Sequence, residues 1–305
     1  MIAMFRKFFM AGLIFIAGSS LAMAEVYLKP FTLGYTTSGE LEAVVEEVKG
    51  KLQAAGFEIA GDYTPYAGAA VIAVSNDSLK KAAASSEFGG YGAAMRVAVT
   101  KIGDEIEVSY TNPVYWANAY RLNDLSDAEQ VKAALQQALG RQQDFGTGDK
   151  QLTAEDLREY HYMFGMEYFD DPSELAEYDS YEEAVAAVEQ GLAEGRGGVR
   201  KVYRIDIPGK QETVFGVALT ADNCSGDEYI MSRIDKDRPR STAHLPYEML
   251  VSGDEVYALY ARFRIAISWP HLPMLQSETG ATFFNIMCAP NAIEEALIEA
   301  AGGED

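Results

Sequence analysis

The chain has 305 residues, 25 Lys+Arg against 46 Asp+Glu for a net charge of −21, and 48% hydrophobic residues. A field of that sign repels phosphate backbones and anionic headgroups, which argues against nucleic acid or a lipid surface as partner. The apolar and aromatic content is ample for packed cores and unlike a disordered acidic tail.

At the start, Arg6 and Lys7 precede an apolar run from Phe8 to Ala17, and small residues end in Ala22-Met23-Ala24. This is the layout of a secretory signal peptide cleaved after Ala24, and the run is shorter than the roughly 20 residues that span a bilayer. The expected product is therefore periplasmic or secreted, with no membrane anchor. Loss of Arg6 and Lys7 takes its charge from −21 to −23. Its length suits two domains.

Next, SGELEAVVEEVKGKLQAAGF carries Leu41, Val44, Val45, Val48 and Leu52 at helical spacing, with Ser38 as an N-cap and Gly56 as a stop. Strand candidates EIAGDYTPYAG and AAVIAVS follow, then a short helix in DSLKKAAASS. MRVAVTKIGDEIEVSYTNP then reads as strand, Gly-Asp turn, strand, and SDAEQVKAALQQALG as an amphipathic helix. A polar stretch around Gly146 and Gly148 marks a boundary near residue 148, followed by a short helix with Thr153 and Asp156 at capping-box spacing.

The second half repeats this order. SYEEAVAAVEQGLAEGRG spaces Tyr181, Val185, Val188 and Leu192 like a helix. VRKVYRIDIPG and TVFGVALT read as strands, and DEYIMSRID as a short helix. LPYEMLVSGDEVYALYARF is again strand, Gly-Asp turn, strand, and APNAIEEALIEAA closes with a helix. Leading strands in VYLKPFTLGYT and YHYMFGMEYFD complete the pattern. The expectation is an α+β fold of two tandem β-α-β(4)-α copies, residues 25–148 and 149–305, each a curved antiparallel sheet with its helices on one face.

Alternation in GDEIEVSYT sets Ile106, Val108 and Tyr110 against Glu107, Ser109 and Thr111, which predicts a first sheet with one solvated face. In GDEVYALYARFRIAI, Tyr257, Leu259, Ala261, Phe263, Ile265 and Ile267 form one apolar strand face, which predicts a second sheet covered on both sides.

GYTTSGELEAVVEEVKGKLQAAGF, VIAVSNDSLKKAA and MRVAVTKIGDEIEVSYTNP together resemble the family catalogued as domain of unknown function 302. The resemblance covers about residues 30–140 and implies a saddle-like β-α-β4-α fold similar to that of the TATA-binding protein. It implies no activity, and a shared saddle implies nothing about DNA. Residues 160–300 depart further, with Arg262 and Phe263 where the first half has Asn112 and Pro113, and with an insertion around DKDRPRSTAH.

Candidate chemistry concentrates in the second half. His271, Met274, Met287 and Cys288 offer imidazole, thioether and thiolate, donors that suit copper, although methionines that merely fill core gaps would look the same. Cys224 and Cys288 read as a disulfide after export, with free thiols or a metal site as alternatives. Arg262 and Arg264, beside Tyr260 on the expected strand, would clamp a carboxylate or phosphate, or else reach water. Tyr110, Asn112, Trp116 and Trp269 cluster at strand exits, as cleft walls or as caps of their own cores. Arg233, Lys236, Arg238 and Arg240 form a basic island, which a solvated loop explains equally well. G-x-S-x-G, H-E-x-x-H and C-x-x-C are all missing, so the sequence gives no support for an enzyme. It points instead to a non-catalytic module binding a small ligand or a partner protein, with a copper or redox protein as the alternative.

Overall fold

The computed structural model describes residues 25–303, so the signal-peptide reading of residues 1–24 falls outside the described part. In the first half the order is β1 (Phe31–Thr37), α1 (Leu41–Ala54), β2 (Glu58–Tyr63), β3 (Ala69–Ser75), α2 (Asp77–Ala84), β4 (Met95–Ile102), β5 (Glu105–Thr111), α3 (Pro113–Ala119), α4 (Leu125–Leu139) and β6 (Gln143–Phe145). The second half runs α5 (Ala154–Arg158), β7 (Ser173–Glu177), α6 (Tyr181–Glu194), β8 (Val199–Asp206), β9 (Glu212–Leu219), α7 (Asp227–Ile234), β10 (Tyr247–Ser252), β11 (Glu255–Ala258), α8 (Ala261–Ser268) and α9 (Ala289–Ala301).

Local chemistry sets many of these limits. Asn76, Asp124 and Ser180 cap α2, α4 and α6 with side-chain oxygens, and Thr153 with Asp156 closes the expected capping box on α5. Ser38 does not cap α1, which begins after Glu40 without a side-chain cap. Gly103 and Gly253 each take φ of 64° at the first position of the two Gly-Asp hairpin turns, a conformation that favours glycine.

Both sheets are antiparallel. The first has the order β2-β3-β4-β5-β1-β6 and the second β7-β11-β10-β9-β8. On one face of the first sheet, Val44, Val48 and Leu52 of α1 and Val131, Leu135 and Leu139 of α4 pack on Ile72, Val97, Val99, Ile106 and Val108. On one face of the second, Val185, Val188 and Leu192 of α6 and Ile293 and Leu297 of α9 pack on Phe215, Val217, Met249 and Val251. The opposite faces join in a third core, where Ala73 and Ala98 of the first sheet and Val214 and Leu250 of the second share Tyr115, Trp116, Phe263 and Ile267.

That shared core overturns the solvated-face expectation. Glu107, Ser109 and Thr111 are buried. The basic island covers them, because Arg238 Nε donates to Glu107 Oε1 at 3.0 Å and the Arg240 backbone N–H donates to Oε2 at 2.7 Å. At their edges the sheets touch directly: a Cβ on Gly61 of β2 would stand 2.1 Å from the Val202 carbonyl oxygen of β8.

Two further strand readings are corrected. YHYMFGMEYFD is not a strand; the edge strand of the second sheet is β7, Ser173–Glu177. β11 stops at Ala258, and Ala261–Ser268 is the helix α8. In α8, Phe263 and Ile267 join the shared core while Ala261 and Ile265 join the α6/α9 core. A helix pressed from two sides buries i, i+4 pairs on both, and the interleaved pairs read in sequence as a strand's alternation.

Candidate functional site

The polar centre of the molecule lies where the two halves meet. Arg96 of β4, Glu248 of β10 and Arg264 of α8 are all buried. Glu248 accepts from Arg96 Nη1 through Oε1, and from Arg264 Nε at 3.1 Å through Oε2. Trp116 of α3 presents its ring to both guanidiniums, at 4.9 and 5.1 Å. Arg264 Nη1 also donates to His244 Nδ1 at 3.0 Å. Arginine has no acceptor, so Nδ1 must be the lone-pair nitrogen and His244 the neutral Nε2–H tautomer. Burial first, then the two guanidiniums, push the His244 pKa well below its usual value. Arg96 Nη2, Tyr91 OH, Tyr120 OH and His244 Nε2 have no hydrogen-bond partner among the described residues. This centre joins two charges of one half to two groups of the other, and its burial leaves no route for a ligand from outside.

Two clefts border α7. Cys224 and Cys288 stand in disulfide geometry with Cα atoms 5.9 Å apart, tethering the approach to α7 to the start of α9. Asp227 opens α7 and Asp235 follows its last turn. Asp227 is 1% exposed. Its Oδ2 accepts from Tyr63 OH at 2.9 Å and from the Leu219 N–H at 3.3 Å, while Oδ1 has no partner among the described residues. Burial pushes its pKa up to about 7 against the pull of those two donors. It lines a cleft of about 650 Å³ whose walls are Tyr63–Pro65 from the β2–β3 turn, Leu219–Asp222, and Glu228, Tyr229, Ser232 and Arg233 of α7. That volume is in the range of small-molecule sites.

A second cleft, of about 410 Å³, borders α7 with Tyr66, Thr100, Asp235, Lys236 and Arg240. Burial likewise brings Asp235 to about 7, but here the Arg240 guanidinium acts on the carboxyl and lowers it. The larger cleft offers a buried acceptor with no cation already assigned to it.

The residues nominated by sequence separate. Trp116 and Arg264 meet at the buried centre, on helices. Tyr110 OH donates to the Gly140 carbonyl at 2.8 Å. Asn112 caps α3 and donates through Nδ2 to the Lys29 carbonyl at 2.9 Å. Arg262 pairs with Glu167 and lies 5.6 Å from the Tyr260 ring. It does not share a face with Arg264 on a strand, since both stand on α8 with different partners. Trp269 packs on His244, ring centres 4.6 Å apart, and with His271 lines a small cleft of about 220 Å³ that also holds Lys29, Asp144 and Arg238.

Of the copper set, Cys288 faces Cys224 and offers no free thiolate, Met274 and Met287 are exposed, and His271 Nε2 lies 3.6 Å from Asp237. Among the described residues no three His, Cys, Asp or Glu side chains group so as to hold a metal ion. No described helix is long and apolar enough to cross a membrane. Glu248, His244, Asp227 and Arg96 were not nominated; Glu248, Asp227 and Arg96 each have a side-chain partner in the other half, and the partners of His244, Arg264 and Ser268, stand on α8, about 20 residues on.

Comparison with protein-family models, with curated proteins and with solved structures returns no match for this chain.

Proposed function

We propose that this is an exported, non-catalytic binding protein built from two descendants of one β-α-β(4)-α unit, which takes a small ligand in the cleft beside α7. Support for the doubling is the order of connection: β2-β3-β4-β5-β1 corresponds position by position to β8-β9-β10-β11-β7. The first helix of each set follows the first strand, as α1 and α6, and the last helix closes it, as α4 and α9. The same order favours the resemblance of residues 30–140 to the domain-of-unknown-function-302 family. Export is supported by the leader-like pattern of the opening residues and by the cysteine pair.

The observation that carries the binding reading is Asp227, a carboxyl fixed through one oxygen by Tyr63 and the Leu219 N–H, with its other oxygen buried and unpartnered, on a residue that lines the large cleft. An unmade hydrogen bond at a buried acceptor costs about 1–3 kcal/mol, and a ligand that supplies the donor recovers it. Tyr63 belongs to the first half and Asp227 to the second, so the site exists only where the halves join.

The test is a thermal-shift screen with amine cations, polyols, amino acids and dicarboxylates on the wild-type protein and on Thr64→Trp, which fills the large cleft from an exposed position of the β2–β3 turn that the second cleft does not share. The expected result is that one class raises the melting temperature of the wild type and leaves the variant unmoved. A screen in which no class does so refutes the reading.

A further inference from the structure

We infer that the ligand of the α7 cleft carries a primary ammonium group, bound by the free Oδ1 of Asp227. This rests on the binding reading above and assigns its ligand class. The chemistry of the cleft decides between the alternatives. An anion would meet Asp222, Asp227 and Glu228 on the walls with only Arg233 to offset them. A bare metal ion would need several converging ligands, and the described residues provide no such group. A sugar would want an aromatic face to stack on; the Arg233 guanidinium covers one face of Tyr229, 3.4 Å from the ring centre, and Tyr63 is held by its hydroxyl on Asp227. An ammonium group brings the N–H donors that Oδ1 lacks, and its charge compensates the ionised carboxylate in a desolvated setting, where a charge-assisted bond is worth most. The acidic surface of the whole chain, net −21, also raises the local concentration of cations.

Binding of this kind exchanges a cation for a proton. The groups around Asp227 are Tyr63 and Tyr66 from the β2–β3 hairpin, Tyr247 from β10, Asp222 from the loop after β9, and Glu228 and Arg233 on α7. The pKa values of Tyr63, Tyr66 and Tyr247 are all raised, so the three phenols stay protonated at neutral pH. Asp227, near 7, is the group that changes charge there. An ammonium ligand selects the carboxylate and drives the proton into the buffer, so its affinity falls as the pH drops below about 7, by roughly tenfold per pH unit.

The experiment is isothermal titration with three probes of one four-carbon frame, putrescine, butanediol and succinate, in two buffers of different ionisation enthalpy. The proteins are wild type, Asp227→Asn, Tyr63→Phe and Thr64→Trp. The expected result is that putrescine alone binds, releases a proton, and loses roughly 10- to 100-fold in affinity with Asp227→Asn. Tyr63→Phe removes one donor from Asp227 and keeps the carboxyl, so it retains putrescine binding and its proton release. Putrescine binding that Thr64→Trp abolishes but Asp227→Asn leaves intact overturns the ammonium assignment. So does butanediol or succinate binding at the same cleft in its place, and either result keeps the cleft as the site. Silence from all three probes at millimolar concentration overturns the assignment, and putrescine binding indifferent to both variants overturns the assignment and the cleft together.

Discussion

Asp227 and Asp235 stand at the two ends of α7 as buried carboxyls that titrate near 7 in the fold, against 3.8 when unperturbed. Between those limits the folded state holds a proton at each site that the unfolded chain has released, so stability falls as the pH rises from about 4 to about 7 and levels off beyond. Each carboxyl contributes a loss on the order of 4 kcal/mol across that window. His244 works against them. Its pKa is lowered, so the unfolded chain binds a proton that the fold refuses, and its contribution grows with pH up to about 6.5 before it levels off. Two aspartates act against one histidine, so the wild type is expected to lose stability between about pH 4.5 and pH 7 in urea titrations. In Asp227→Asn with Asp235→Asn the fully buried His244 is opposed only by Glu255, a far less buried carboxyl that burial and its acidic neighbours raise, and the slope should reverse. Parallel slopes for the two proteins would show that the aspartates ionise freely. Neither carboxyl was legible in the sequence, because on a chain with 46 acids one at a helix end looks like ordinary surface. Glu248 sits in a strand whose neighbours are apolar, yet its importance depends on Arg96, about 150 residues away in the chain, which local pattern cannot register.

At the scale of elements, legibility followed how many surfaces each segment touches. α1, α4, α6 and α9 each bury one stripe, and their spacing showed it. α8 is pressed between two cores, and α3 lies wholly within the shared one, buried at every position from Pro113 to Ala119, so no polar face remains to reveal a helical period. β7 was misplaced because Ser173–Glu177 is a short edge strand with little apolar content, whereas the aromatic-rich segment before it resembles a strand more closely. The β2 and β8 edges meet through a feature that sequence shows only as one more glycine. Beside Gly61 the β2–β3 register shifts, and beside Val202 the β8–β9 register shifts, so each strand bends at the point of contact. Gly61→Val would force a backbone carbonyl away and should destabilise by about 1–3 kcal/mol. Gly50, in α1 with nothing within 4 Å of an added Cβ, is the matched control, where Gly50→Ala should stabilise by roughly 0.5–1 kcal/mol. Chemical denaturation of both variants checks the pair, and a neutral Gly61→Val would mean that the edges do not need their close approach.

For the molecule as a whole, the question is whether two halves with matching strand orders unfold as two. The first half alone would expose Arg96, Trp116 and Glu107, and the second alone would expose Glu248, Arg264 and Phe263, all of them buried when the halves are together. Removing one half therefore does more than uncover apolar area, since it strands Arg96 and Glu107, whose ionic partners Glu248 and Arg238 lie across the join, and breaking a buried ion pair costs about 3–5 kcal/mol. The join is also bonded along its length. Tyr115 OH donates to the Ile267 carbonyl at 2.7 Å, Gly90 N–H to Glu212 Oε1 at 2.7 Å, and the Thr100 and Thr242 hydroxyls lie 2.9 Å apart, all inside the buried region. Independent unfolding of either half would leave these groups without their protein partners in the half that remained folded. The expected outcome is one calorimetric transition with equal calorimetric and van't Hoff enthalpies, in spite of a length that commonly gives two domains. Glu248→Ala leaves two buried guanidiniums without a carboxylate and weakens the join more than either half, so it is the substitution most apt to split that transition. Two resolved transitions in the wild type would mean instead that each half is stable with its inner face uncovered, and the buried charges would then have to be satisfied by water.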